Sequence, residues 1–89
     1  MIATDMLSTN WDQVQRHGSR SIVVFKSTDL VNWTPTGGNV REVIGTNAGN
    51  VWAPAAVWDP TNKNYFIAFA SAIFAASDPN HTGSFYQRV

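Results

Sequence analysis

The sequence predicts an all-β fold of short antiparallel strands, on three observations. Short apolar runs rich in β-branched and aromatic residues recur along the chain, at residues 21–26, 51–58 and 64–71. Clusters of Gly, Pro, Asn, Asp and Ser separate them at short intervals, and helical periodicity is poor throughout. The chain has 89 residues, 44% of them hydrophobic and 12% aromatic, which are globular values for about one small domain.

Taken in order, Ile2-Ala3-Thr4-Asp5 opens in a strand-like run. Residues 10–17 (NWDQVQRH) fit a turn or two of helix, with Asn10 or Thr9 as cap. Residues 21–26 (SIVVFK) form a strand that ends at the turn cluster Ser27-Thr28-Asp29. Residues 40–44 (VREVI) alternate apolar and charged, as a half-exposed strand does. Residues 51–58 (VWAPAAVW) are an apolar run bounded by Gly49-Asn50 and Asp59-Pro60. Pro54 cannot donate to a ladder, which confines this strand to an edge or demands a bulge. Trp52 and Trp58 share a face of a regular strand, a parity that a bulge at Pro54 would reverse; Trp58 is expected in the core. Residues 64–71 (NYFIAFAS) pair back across a loop of about five residues, making 51–71 a hairpin. Residues 85–89 open a further strand.

Both hairpin strands are apolar on both faces, so each face needs cover. The rest of the chain is too short to supply it, and the 89 residues read as a piece of a larger β-structure.

Composition removes several function classes. Six basic and six acidic side chains cancel, leaving no electrostatic footprint for nucleic acid or an anionic membrane. The absence of cysteine excludes disulfides and thiolate metal sites. No segment approaches the roughly 20 apolar residues of a membrane span, and no basic region with an apolar core follows Met1-Ile2. Of six carboxylates, Asp29, Asp59 and Asp78 stand in turn contexts, where Asp bonds its own backbone. Asp5 follows a strand and Asp12 precedes Arg16, so either can reach a pocket. His17 and His81 are too few for a metal site, which takes three or four ligands. Asn80-His81-Thr82 and Asn32-Trp33-Thr34 match the glycan acceptor pattern; Asn80, in a polar loop, is the candidate.

The string STDLVNW at residues 27–33, followed by WAP at 52–54, an Asp-containing turn and an aromatic strand, resembles glycoside hydrolase family 43. Trp11-Asp12, Gln15-Arg16, Gly18-Ser19, Ala48-Gly49-Asn50 and Asp78-Pro79-Asn80-His81-Thr82 extend the resemblance over essentially the whole chain. That family of arabinanases, α-L-arabinofuranosidases and β-xylosidases consists of five-bladed β-propellers. The resemblance implies a partial propeller, with residues 1–45 as most of the first blade and 46–89 as the first half of the second. Residues 51–58 would then be an innermost strand lining the axis, where Pro54 is tolerable, with Leu30 and Trp33 packed back on the first blade.

For function, the resemblance implies inverting hydrolysis of O-glycosidic bonds in arabinose- or xylose-containing plant polysaccharide, in a secreted parent enzyme. It implies an Asp base, a second Asp and a Glu acid, each from a different blade. None of Asp5, Asp12, Asp29, Glu42, Asp59 or Asp78 matches those positions, so no catalytic residue is assigned and the chain alone is expected to be inactive. Trp52, as a sugar-stacking platform, Pro54, and Arg16, through its planar fork, are the substrate-binding candidates. Ala55 stands where the family commonly carries an acid after WAP, which removes a charge from that subsite. Some members hold an axial Ca²⁺, for which the sequence shows no ligand set; no cofactor is expected. The partners implied are a carbohydrate and the remaining blades, with no nucleic acid and no membrane. The alternative is a non-catalytic carbohydrate-binding or structural β-module.

Overall fold

A computed structural model describes residues 1–6, 10–36 and 43–89. The chain runs β1 (Ile2–Thr4), α1 (Trp11–His17), β2 (Ile22–Lys26), β3 (Thr34–Pro35), β4 (Trp52–Asp59), β5 (Asn64–Phe74) and β6 (Phe85–Arg88). Two three-stranded sheets result, in the orders β1-β2-β3 and β4-β5-β6, and every pairing is antiparallel. The all-β expectation holds, with α1 inserted between β1 and β2. Of the expected strand at 40–44, residues 40–42 (Glu42 among them) lie outside the described residues. Val43 and Ile44 are not in a strand, and the Val43 amide donates to the Arg20 carbonyl at 3.0 Å.

Helix α1 is capped by Asn10, whose Oδ1 accepts from the Gln13 amide at 3.1 Å; Thr9 lies outside the described residues. Asp12 in the first turn and Arg16 and His17 in the last complement the helix dipole.

The β2–β3 turn is held by side chains. Ser27 Oγ accepts from the amides of Asp29 (3.2 Å) and Leu30 (2.8 Å), and Asp29 Oδ1 from those of Val31 (2.9 Å) and Asn32 (2.8 Å). Leu30 takes φ 61°. The expected packing of Leu30 and Trp33 does not occur, since they are 77% and 37% exposed. The local polar bonds fix this turn by themselves and leave its apolar side chains outward.

In the second sheet β4 is an edge strand, as Pro54 requires. Trp52 pairs with Ala70 and Ala55 with Ala68, so Ala53 and Pro54 together oppose Phe69 alone. This bulge, with Ala53 at φ 48°, removes the ladder position at which proline would lack a donor. It also reverses the parity of the tryptophans. Trp52, Ala55 and Val57 share one face with Phe66 and Ala68, whereas Trp58 pairs with Tyr65 on the other. Trp58 is 50% exposed and packs edge-on against Tyr65 at 5.2 Å, a correction to the core assignment. The hairpin loop is Pro60-Thr61-Asn62-Lys63, closed by Asp59 Oδ1 accepting from the Thr61 and Asn62 amides.

The core sits where α1 meets β5. Val14, Ile22, Ala48, Val51, Ala72 and Phe74 are buried there, with Asn50, Ser71 and His81 among them. Beyond residue 70, β5 pairs with the 47–50 segment: Gly49 donates to the Ala72 carbonyl at 2.9 Å and Phe74 to that of Asn47 at 2.9 Å. The chain then leaves β5, and the Val51 amide donates to the Ser19 carbonyl at 3.0 Å. Where the backbone departs, Asn50 Oδ1 takes the Ala72 amide at 3.1 Å and its Nδ2 donates to the Gln15 carbonyl at 3.1 Å. One carboxamide thus ties helix to sheet. Gly49 lies so close to the helix end that a Cβ there would collide with the Gln15 carbonyl oxygen.

Candidate functional site

Between α1 and the two sheets lies a cavity of about 280 Å³ lined by Asp5, Met6, Gln13, Val14, His17, Gly18, Ser19 and Trp52. Asp5 follows β1 directly. Gln13 and His17 are four residues apart and so stand on one face of α1. Trp52 opens β4 on the far side of the bulge, and its ring meets Trp11 edge-on at 5.8 Å and 77°. Thr4, just before Asp5, accepts from the Ala53 amide on Oγ1 at 3.0 Å, fixing β1 against the start of β4.

The polar groups of the cavity are partly pre-oriented. Ser19 Oγ donates to Asp5 Oδ2 at 2.7 Å and accepts from the Ser21 amide at 3.2 Å. Asp5 Oδ1 has no partner among the described residues. The cavity therefore offers an acceptor at Asp5, a donor and acceptor at Gln13 and His17, and an aromatic surface at Trp52. Among the described residues Asp5 is the only acidic one lining it, and a single carboxylate does not make the acid–base pair that glycoside hydrolysis uses.

The other candidates fall elsewhere. Arg16 is not in the lining: Nε bonds Asp12 at 2.9 Å, and Nη1 donates to the carbonyls of His81 (2.9 Å) and Gly83 (2.7 Å). Its guanidinium also lies 5.9 Å from the Phe74 ring centre and 5.6 Å from that of Phe85. Pro54 sits in the bulge, outside the lining. Ala55 shares Trp52's sheet face, so an acid at that position would stand on the side of the sheet that carries the indole. Asp29, Asp59 and Asp78 serve their turns. Backbone bonds from Asn32 and Val31 hold the Asp29 carboxyl well below the usual carboxylate range. The Asn62 side chain chiefly lowers Asp59, and the Thr82 and Gly83 amides lower Asp78. Among the described residues no three His, Cys, Asp or Glu side chains converge. No helix among them is long and apolar enough to cross a membrane.

Sequence reasoning missed Trp11, Gln13 and Ser19. Gln13 carried a usable signal, since an i, i+4 Gln–His pair on α1 marks a common face. Ser19 carried none, because its bond to Asp5 spans 14 residues and depends on the β1–β2 pairing.

The cavity, walled by an indole, one carboxylate and uncharged hydrogen-bonding groups, stands on a framework of antiparallel sheets. The chain belongs to the glycoside hydrolase family 43-related group described as "Probable glycosyl hydrolase domain", matching it over residues 1–89. It is 46% identical over 79 residues to an alpha-L-arabinofuranosidase of Bifidobacterium longum subsp. longum. That similarity covers 83% of this chain and 7% of the relative, so the chain spans a small part of that enzyme's length. No solved structure matches the chain significantly.

Proposed function

We propose that residues 1–89 form a sugar-binding wall of a glycoside hydrolase that releases arabinose or xylose units from plant polysaccharide by inverting hydrolysis. The observation that carries this reading is the cavity in which the Trp52 indole stands across from Asp5, Gln13 and His17. The ring supplies a stacking face for a pentose, and the polar groups supply partners for its hydroxyls. The two sheets are read as successive partial blades of a propeller, residues 1–45 and 46–89, with β4 innermost in the second. The arabinofuranosidase relative supports the arabinose side of the substrate class.

The acid and base of the reaction are assigned to parts of the enzyme other than the described residues, and the chain alone binds without hydrolysing. Arg16 contributes through the loop carbonyls it holds, and Pro54 through the bulge that turns Trp52 toward the cavity. In a secreted parent, Asn80 is the glycan acceptor; it is exposed, and Thr82 of its tripeptide donates to Asp78 Oδ1 at 3.1 Å. The single carboxylate in the cavity and Ala55 favour one alternative, a non-catalytic carbohydrate-binding module.

The test is titration of the chain with arabinose and arabino-oligosaccharides, read by tryptophan fluorescence, beside hydrolysis of p-nitrophenyl arabinofuranoside. A saturable change that weakens about tenfold in Trp52→Ala, the size of one lost aromatic contact, and persists in Trp58→Ala is expected. Hydrolysis by the chain alone would make Asp5 catalytic and overturn the assignment. Binding unchanged in Trp52→Ala would remove the cavity as the site.

A further inference from the structure

The cavity is small, and an aromatic ring that it does not use stands beside it. At about 280 Å³ it falls at the lower edge of the roughly 300–1,000 Å³ of pockets that enclose drug-sized ligands. A single sugar fills it, so any longer saccharide has to continue across the adjoining surface. Its lining carries Asp5 and, among the described residues, no Lys or Arg, which suits a ligand without negative charge. Trp11 stands on that adjoining surface. It is not in the lining, but its ring centre lies 5.8 Å from that of Trp52, which is. Trp11 is the most exposed of the four tryptophans, at 66% against 50% for Trp58 and 37% for Trp33, with Trp52 half-buried.

A single exposed indole is ordinary on a protein surface; its setting distinguishes this one. The two rings meet at 77°, and an edge-on contact leaves each ring a face that the other does not cover. One aromatic face therefore belongs to the cavity wall and a second stands next to it. Both are held in place before any ligand arrives. Trp11 is the first residue of α1, directly after the Asn10 cap. The helix is tied to the second sheet by the Gly18 amide, which donates to the Gly49 carbonyl at 2.7 Å, and by Asn50 Nδ2, which donates to that of Gln15 at 3.1 Å. The start of β4, which carries Trp52, is tied to β1 through Thr4 and Ala53. With both rings fixed, little ordering remains to be done on binding. Trp58 lacks this setting, since it pairs with Tyr65 on the opposite face of the β4–β5 hairpin.

We propose that Trp11 is a second sugar subsite: the first unit of a short, uncharged pentose chain lies against Trp52 in the cavity, and the next unit stacks on Trp11. That the first unit is a sugar rests on the function proposed above; the second aromatic face beside it does not. Asp5, Gln13 and His17 offer hydrogen bonds to the first unit only, whereas Trp11 offers a stacking face alone. Trp11 therefore adds affinity for length.

Isothermal titration calorimetry of the chain with arabinose and with arabinotriose tests this in the wild type and in Trp11→Ala, Trp11→Tyr, Trp52→Ala and Trp58→Ala. The quantity read is the ratio of the two affinities within each variant, which cancels any general loss of folded protein. Arabinotriose is expected to bind the wild type about tenfold more tightly than arabinose, the size of one aromatic contact. Trp11→Ala loses that advantage, and Trp11→Tyr, which keeps an aromatic face, recovers most of it. Trp58→Ala keeps the wild-type ratio, and Trp52→Ala weakens arabinose itself. A wild type that binds both sugars equally, or an advantage that survives Trp11→Ala, overturns the subsite while the cavity stands. Equal weakening of both sugars in Trp11→Ala does the same, because it makes the ring a support for Trp52. Sedimentation velocity on the same samples completes the test: self-association lost in Trp11→Ala, with the ratio unchanged, makes the indole a contact between copies and overturns the subsite. A chain that binds neither sugar overturns the function proposed above and the subsite with it.

Discussion

Replacing Asn50 by alanine tests the junction on which the whole site depends. The side chain is fully buried, and its two polar atoms close two gaps, the Ala72 amide at the point where β4 leaves β5 and the Gln15 carbonyl near the end of α1. Asn50→Ala leaves a buried donor and a buried acceptor, and each unpaired group costs about 1–3 kcal/mol. A water entering the vacated space would recover part of that, so the expected loss is about 2–4 kcal/mol. Against a total stability of about 5–15 kcal/mol for a small domain, that is a large fraction. Urea unfolding gives the loss, and hydrogen exchange at the Ala72 amide shows whether it arises where expected. Asn50→Asp is the companion variant. It keeps an acceptor for the Ala72 amide but sets an anionic oxygen against the Gln15 carbonyl. Burial beside that carbonyl raises the folded-state pKa of the introduced carboxyl, so this variant gains stability as pH falls. A loss below about 1 kcal/mol in Asn50→Ala, with the Ala72 amide still protected, would refute the reasoning.

Two further outcomes follow from local geometry. Gly49→Ala brings a Cβ against the Gln15 and Arg16 carbonyl oxygens, both backbone, and is expected to cost at least 2–3 kcal/mol or prevent folding, on the order of core overpacking. Gly45→Ala, whose Cβ meets only the end of the Asn47 side chain at 3.3 Å, is expected to fold normally, which denaturation of the pair would check. The turn carboxylates predict the acid limb of stability. Asp29, Asp59 and Asp78 all have folded-state pKa values lowered by turn hydrogen bonds. Their contribution is therefore complete above the ordinary value of 3.8 and is lost as pH falls through the lower folded values. Asp59→Asn keeps acceptors for the Thr61 and Asn62 amides while removing the charge, so thermal unfolding between pH 6 and 2 should show a shallower acid slope in that variant. An unchanged slope would mean that the Asp59 turn is not populated.

The turn chemistry was legible in the sequence because its donors and acceptors lie within a few residues of one another. Asp29, Asp59 and Asp78 each bond backbone two to five positions away, and no distant contact is needed to foresee it. The Asn10 cap and the edge placement of β4 were legible for the same reason. The end of β5 was not. Residues 72–74 continue that strand beyond the expected Ser71 because β6 pairs with Ser71–Phe74 on one side and the 47–50 segment bonds them on the other, partners more than ten residues away in the chain.

The tryptophans divide along the same line. That Pro54 forces an edge or a bulge follows from proline's missing donor. Both occur, and the bulge, which decides the face Trp58 takes, is set by the register of β4 on β5. Leu30 and Trp33 were expected to pack back because the propeller reading sets their turn against the first blade, but the polar bonds of that turn fix the backbone first.

By itself, the sequence determined the β-rich pattern, the turns, the helix cap and the family through its ordered motifs, all of them properties of neighbouring residues. Tertiary structure alone decided that Asp5, Gln13, His17, Ser19 and Trp52 surround one cavity and that Arg16 faces away from it. Those contacts join segments tens of residues apart. Their geometry depends on a one-residue bulge and one buried carboxamide, neither of which leaves a periodic trace in the chain.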